Sequence, residues 1–356
     1  MRQTNFSYQL NNFLKYGFYS IFIIIIFSNV CLAKKTSIFI LASYNKNDSL
    51  SEPEYQGVLY ALKNSRLSSY ISIYSYFLDS RRVNPKNLQK NINKAIQLIK
   101  KINPKIIITL DDLAFEIIMK HFYKWFEHKR KFLVFCGINT PIKIYNKKYN
   151  FLKNNKIPIK NITGIYEAIN IDKQIQLLKL IFKEPFYIAI LHSIDYMGNI
   201  IKAQVINELS NTKLKNKIKF FPVKNLKDLK KSIQIINKSP LIKAYIPAIL
   251  KIKTSNNKYL SVAKISPILL NNIKKLDLAV NFAFVNLGFW GGVCTDIFRM
   301  GYQAGDMVLY LIQRYPIKKL PVEYACCYKI IINKRRTKQL NLKLPDIFWG
   351  VVDEIR

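Results

Sequence analysis

From Thr36 onward the chain alternates short apolar runs with amphipathic segments, pauses, and then alternates again. No other feature restricts the fold as much, because such alternation reads as βα units around parallel, mostly buried sheets. The first block opens with the β-rich run Thr36–Ala42. A helix follows over Glu54–Lys63, with Tyr55, Val58, Leu59 and Leu62 on one face. Tyr70–Phe77 is the next strand, and Leu88, Ile92, Ala95, Ile96 and Ile99 keep helical spacing. Lys105–Leu110 is a continuous apolar strand, as expected when helices cover both faces. Asp111 and Asp112 stand at its end, placed to cap a helix over Leu113–His121. Lys131–Phe135 is a fourth strand, ending in Cys136–Asn139. Thr140–Lys160 is polar and Lys/Asn-rich, carries Pro141 and Pro158, and reads as a loop or linker.

The second block restarts at Asn161–Gly164. Helices are expected over Asp172–Phe182 and Met197–Leu209 and along Leu226, Leu229, Ile233 and Ile236. Strands are expected at Phe186–Leu191, Ile218–Val223 and Ile242–Ile246. Two α/β domains follow, and a body of this size favours two cores over one. In such sheets ligands bind beyond the carboxyl ends of the strands. The candidate positions are Ser43-Tyr44, Asp111-Asp112, Gly137–Asn139 and Ser193–Asp195.

One further stretch belongs with them. Gly288–Gly305 holds five of the chain's eleven glycines and leads into the helix-like Asp306–Ile312. Glycine concentrates where the backbone needs positive φ or a close approach. The stretch reads either as a ligand-contacting loop or as a tight turn with close helix packing.

The N-terminus has the order of an export signal: Arg2 and Lys15, the apolar run Tyr16–Phe27, then Cys31-Leu32-Ala33. Cleavage after Ala33 is the first reading, an uncleaved anchor the second and lipidation of Cys31 the third. No other stretch has the unbroken apolar length of a spanning helix. The formal charge is +36, from 57 Lys and Arg against 21 Asp and Glu. The excess is spread along the chain and not interleaved with aromatics, so a nucleic-acid groove is not expected. The cysteines left after cleavage, Cys136, Cys294, Cys326 and Cys327, lack metal or redox spacing. One disulfide is allowed, and small buried side chains are the simpler reading for Cys136 and Cys294. His121, His128 and His192 form no metal-ligand pattern.

Several segments together resemble a known family. They are Ser37–Tyr44 with Glu54-Tyr55-Gln56-Gly57, Ile108–Asp112 with Leu133–Asn139, and Asn161–Glu167. Gly288–Gly292 through Gly301–Gly305, Ile317–Glu323 and Leu342–Pro345 complete the set. In this order they resemble the type I periplasmic binding proteins. More narrowly, they are similar to the ABC-transporter substrate-binding-like family, which is related to tryptophan-type uptake proteins and to ligand-sensing domains of membrane receptors. Tyr145–Lys160 and Lys251–Lys264 depart from that pattern.

The resemblance implies an α/β clamp of two Rossmann-like lobes joined by three crossings. Residues 34–160 with about 286–320 would form lobe 1, and 161–285 with about 321–356 lobe 2. A small, amino-acid-like ligand would sit between them, with no cofactor. Tyr44 and Trp290 would supply aromatic walls, and Asp111 or Glu167 would hold an amino group. Ser43, Asp112, Asn139, Asp195, Gly291 and Gly292 would complete the lining. Each has a plainer reading: a helix cap for Asp111 and Asp112, core packing for Trp290, a surface pair for Glu167, a turn for Asn139.

The first functional expectation is an exported, monomeric solute-binding protein that serves an ABC transporter permease. The second is a sensory module that signals to a separate membrane receptor. No Ser/His/Asp or Cys/His arrangement and no phosphate-binding glycine loop follows the first strand, so an enzyme ranks third. A nucleic-acid binder ranks fourth.

Overall fold

The computed structural model describes residues 35–356, apart from 50, 128–130, 184, 250 and 255–258. The expected export segment and His128 lie outside the described residues. No described helix is long and apolar enough to cross a membrane.

In the first lobe the strands are β1 (Thr36–Ala42), β2 (Ile71–Phe77), β3 (Ile106–Leu110) and β4 (Phe132–Ile138). A short hairpin, β5 (Leu152–Lys153) and β6 (Ile157–Pro158), precedes β7 (Ile162–Tyr166). In register, Ile38 of β1 faces Ile106 of β3, which faces Phe132 of β4. Successive side chains leave a strand on opposite faces, so one continuous apolar run feeds two cores. Phe39, Leu41, Ile107, Leu133 and Phe135 pack under helices Pro85–Ile102 and Asp112–Phe122. Ile38, Ile40, Ile106, Ile108 and Val134 pack under helices Ser51–Lys63 and Ile297–Ile312. These last two helices touch so closely that a Cβ on Gly301 would lie 2.0 Å from the Glu54 carbonyl oxygen. Glycine there lets the backbones meet.

The second lobe carries β8 (Tyr187–Ser193), β9 (Ile218–Val223), β10 (Ile242–Ala248), the hairpin β11 (Lys251–Lys253) and β12 (Tyr259–Ser261), β13 (Leu276–Asp277) and β14 (Gly291–Thr295). Its main sheet is parallel, in the order β13–β10–β8–β9. Beyond helix Ile297–Ile312 come β15 (Glu323–Tyr324), β16 (Tyr328–Ile332) and β17 (Glu354–Ile355). The first lobe's sheet is then the all-parallel β15–β7–β4–β3–β1–β2. The smaller sheet β14–β16–β17 joins the second lobe through a bridge from Leu278 to Gly291.

Sheet and core membership locate the crossings. The first lies between Tyr166 and Ile171, the second at Asp296, the third between Tyr324 and Tyr328. They fall later than the expected boundaries near 160, 286 and 320. The reason is that β7 completes the first sheet before the chain leaves it, while β14 stays with the second lobe. The strands of the hinge are stitched together: Thr295 Oγ1 donates to Ala168 O (2.8 Å), Asp296 N to Cys327 O (3.0 Å) and Ala325 N to Tyr166 O (2.9 Å).

Two segments differ from expectation. Thr140–Lys160 is not a linker: it holds the helix Ile142–Tyr149 and the β5–β6 hairpin. Tyr145 is buried there, and Asn146 binds the turn by accepting from Phe151 N and Leu152 N and donating to Leu152 O. Exposed lysines masked that short amphipathic helix in the sequence. Second, Gly288–Gly305 is not one loop. Its middle is the buried strand β14, and the helix begins at Ile297, capped by Asp296. Gly291 has φ 125°, and a Cβ there would meet Ile331 O at 1.9 Å. The glycine admits the neighbouring strand β16, not a ligand.

Candidate functional site

Five loops of the first lobe meet at the carboxyl edge of its sheet: after β1 (Ser43, Tyr44), β2 (Asp79–Val83), β3 (Asp111), β4 (Asn139) and β7 (Glu167). Ser43 is a buried brace. Its hydroxyl donates to Leu110 O (2.9 Å) and accepts from Ala114 N (3.0 Å). That fixes the direction in which the β1 and β3 loops leave the sheet.

Asp111 caps helix Asp112–Phe122, its Oδ1 accepting from Asp112 N at 2.7 Å. Its backbone sits at φ 74° and ψ 167°, a region that almost only glycine occupies. A non-glycine residue held there marks a place where surrounding structure imposes the geometry. Tyr44 lies beside the same carboxylate, close enough that burial and the Asp111 charge hold its hydroxyl well above the usual tyrosine range.

Asp112 is a second kind of carboxylate. It accepts from Asn139 N (2.9 Å), Thr140 N (3.2 Å) and Tyr145 OH (2.8 Å). With its lone pairs so engaged it ties the β4 loop and helix Ile142–Tyr149 to the site, and leaves the ligand-facing role to its neighbour. Asn139 in turn donates through Nδ2 to Glu167 Oε2 (3.0 Å).

Two residues at the site were not anticipated from the sequence. Glu54, on helix Ser51–Lys63, is buried, and its Oε1 has no hydrogen-bond partner. Arg81, on the β2 loop, lays its guanidinium 3.6 Å from the centre of the Tyr44 ring and pairs with Asp48. One signal was present for Glu54: it lies one turn into the helix that follows the first ligand loop.

Glu54, Asp111 and Glu167 repel one another. Burial, and then the Asp112 charge, push the Asp111 carboxyl up to about 6. Burial, and then Asp111, push Glu167 up to about 8. Burial, and then Asp111, hold Glu54 well above the usual carboxylate range. Elsewhere the chain handles a buried acid differently. Asp277 is fully buried, yet it accepts from Arg336 Nε at 2.9 and 3.2 Å and from Trp290 N at 2.7 Å. Arg81 eases the charge on Asp111 and Glu167 from beside them, but its ion pair is with Asp48, so among the described residues none of the three acids has the direct cationic partner that Asp277 receives.

The structure brings Tyr44, Asp111, Asp112, Asn139 and Glu167 together. Asp195 stands on the second lobe's carboxyl edge, where it caps helix Tyr196–Glu208 by accepting from Gly198 N (2.9 Å) and Ser193 Oγ (2.7 Å). Trp290, Gly291 and Gly292 are a correction. The Trp290 ring is fully buried in the second lobe's core, packed against Phe348, with Nε1 donating to Thr337 Oγ1 (3.0 Å). No face of the indole is left for a ligand. A Cβ on Gly292 would meet Gln174 Oε1 at 2.5 Å, so that glycine makes room for a buried side chain. A recess of about 410 Å³ on the second lobe, lined by Tyr187, Phe220, Phe221, Ile235 and Leu241, is apolar and lies away from the carboxylates. Lys219 and Ser239 are the polar residues among its lining, and it holds no acid to match the cluster on the first lobe.

Comparison with known proteins agrees with this architecture. The family model for ABC transporter substrate binding proteins matches residues 46–352. An ABC domain in complex with L-Trp from Streptococcus pneumonia superposes with a TM-score of 0.62 at 15% identity, over 90% of this chain and 100% of that one. A conserved domain protein from Vibrio cholerae o1 biovar eltor gives 0.63 at 16% identity, over 91% and 100%. The ligand-free, open form of a substrate binding protein with adhesive properties from Clostridium difficile gives 0.62 at 14%, over 90% and 99%. At these identities the likeness speaks to fold alone, which is the type I periplasmic binding protein fold. No curated protein matches the chain.

Proposed function

This chain belongs to the ABC transporter substrate binding protein family, and on that premise we propose that it captures a small amine-bearing, amino-acid-like ligand between its lobes and delivers it to an ABC transporter permease. The observation that carries this reading is the group of buried Glu54 with half-buried Asp111 and Glu167, none of which is ion-paired among the described residues, since Arg81 beside them is paired with Asp48. Burying like charges is costly unless something pairs them. A protonated amine supplies the missing charge.

The two-lobed fold supports a clamp. A ligand that touches the first lobe's carboxylates and the second lobe's edge near Asp195 binds the closed state better than the open one. That difference in affinity is what drives closure. The protein acts outside the cytoplasm in this reading, its N-terminal apolar segment serving as an export signal.

Isothermal titration against the twenty amino acids, simple amines, sugars and nucleobases tests the proposal. Binding confined to compounds with a cationic nitrogen is the expected result. Tight binding of an uncharged sugar or base, with no response to any amine, would refute it.

A further inference from the structure

We propose that Arg81 is the carboxylate-binding residue of the cleft, and that the ligand is therefore an amino acid zwitterion instead of a simple amine. This inference rests on the amine-capture reading above and adds a second recognition point to it.

The geometry begins with how Arg81 is held. The β2 loop is pinned to the β1 loop by Ser80 N donating to Ser43 O (3.1 Å). One terminal nitrogen of Arg81, Nη1, donates to both oxygens of Asp48, at 3.1 and 2.9 Å. The guanidinium lies over the Tyr44 ring at 3.6 Å. Loop, ion pair and stacking together fix the plane of the group.

That arrangement leaves one side of the guanidinium unused. Among the described residues, Nε and Nη2 of Arg81 meet no acceptor. Those two N–H groups form the parallel fork that matches a carboxylate. The next residue shows the contrast: Arg82 spends its Nε on Asp79 at 2.8 Å and is mostly exposed.

The position of the fork is the second point. Tyr44 stacks under Arg81 and stands beside Asp111. One tyrosine ring therefore spans the distance between an open guanidinium edge and the acid cluster. A ligand with its ammonium on Asp111 and Glu167 and its carboxylate on Arg81 lies along that ring. A compound with an amine alone leaves the fork unfilled. A preoriented arginine loses less freedom per bond than a lysine would.

The test compares each amino acid that binds with its decarboxylated amine, for the purified protein and for Arg81→Gln. The unaltered protein should prefer the amino acid by roughly tenfold to a hundredfold, the usual worth of a charge-assisted pair. Arg81→Gln should remove that preference, weakening the amino acid while leaving the amine within about threefold. Arg81→Lys, which keeps the charge without the fork, should restore only part of it. Amines bound as tightly as amino acids by the unaltered protein would overturn the role of Arg81 and leave amine capture standing. So would an equal loss for both ligands in Arg81→Gln. Silence toward every amine would overturn both readings.

Discussion

The double variant Asp111→Asn, Glu167→Gln is expected to lose affinity for the amine-bearing ligand by about thirtyfold or more, about 2–5 kcal/mol, as when one side of a buried charge pair is removed. The same change should stabilise the unliganded protein. Both acids carry folded-state pKa values above their ordinary ones: Asp111 moves from 3.8 to about 6 and Glu167 from 4.5 to about 8. The folded state thus holds protons that the unfolded chain has released, so stability falls as pH rises from 4.5 toward about 8. Neutral amides remove that loss. Near pH 8 the variant should be more stable by roughly 1–2 kcal/mol, a figure discounted for water at the cleft. Urea denaturation across pH, beside ligand titration, separates the two effects. A variant that loses binding and also loses stability near pH 8 would argue that these acids are structural.

Arg336→Met should cost about 3–5 kcal/mol of stability, because it strands Asp277 as an uncompensated buried charge. The pair is nearly dry, with side-chain exposures of 8% and 0%. Arg336 also donates through Nη2 to Leu270 O at 3.1 Å, which ties helix Val262–Asn272 to the lobe. Adding Asp277→Asn to Arg336→Met should recover part of the loss, since the stranded charge is then gone. Chemical denaturation of the three variants reads this directly. A cost below about 1 kcal/mol for Arg336→Met would contradict the pairing. The comparison matters for function. Asp277 has an ion-paired internal partner, whereas among the described residues Glu54, Asp111 and Glu167 have no ion pair, which in the proposed reading a ligand amine would supply.

Much of this architecture was legible before any coordinates, because strand and helix periods are local properties. The apolar run Ile106–Leu110 is buried at every position, and Asp111 caps the helix that the pattern placed after it. The loop residues at the strand ends, Tyr44, Asp111 and Asn139, were legible for the same topological reason, while Glu167 was a candidate only through the resemblance. Arg81 was not. It follows an edge strand and is one basic residue among 57, so only its stacking on Tyr44 and its pairing with Asp48 distinguish it. Glu54 lies in one of the segments that resemble the family, but nothing local in the sequence marks a side chain that turns inward under the β4 loop. There a Cβ on Gly137 would meet its Oε1 at 2.5 Å. Trp290 misled for the opposite reason. A tryptophan among glycines resembles an exposed wall, but the glycines admit β16 and Gln174, and the indole fills the space between β14 and Phe348.

The central claim is that a cationic nitrogen completes the acid cluster. Its most direct test is calorimetric titration of the tightest-binding amine at about pH 6 and about pH 8, each in two buffers of different ionisation enthalpy. The cation pairs with ionised carboxylates, so binding must expel the protons that Asp111 and Glu167 hold. The account predicts an affinity that rises with pH by about tenfold or more, with net proton release in both buffers. An affinity that is flat or falls over that range, with no proton released, would contradict it.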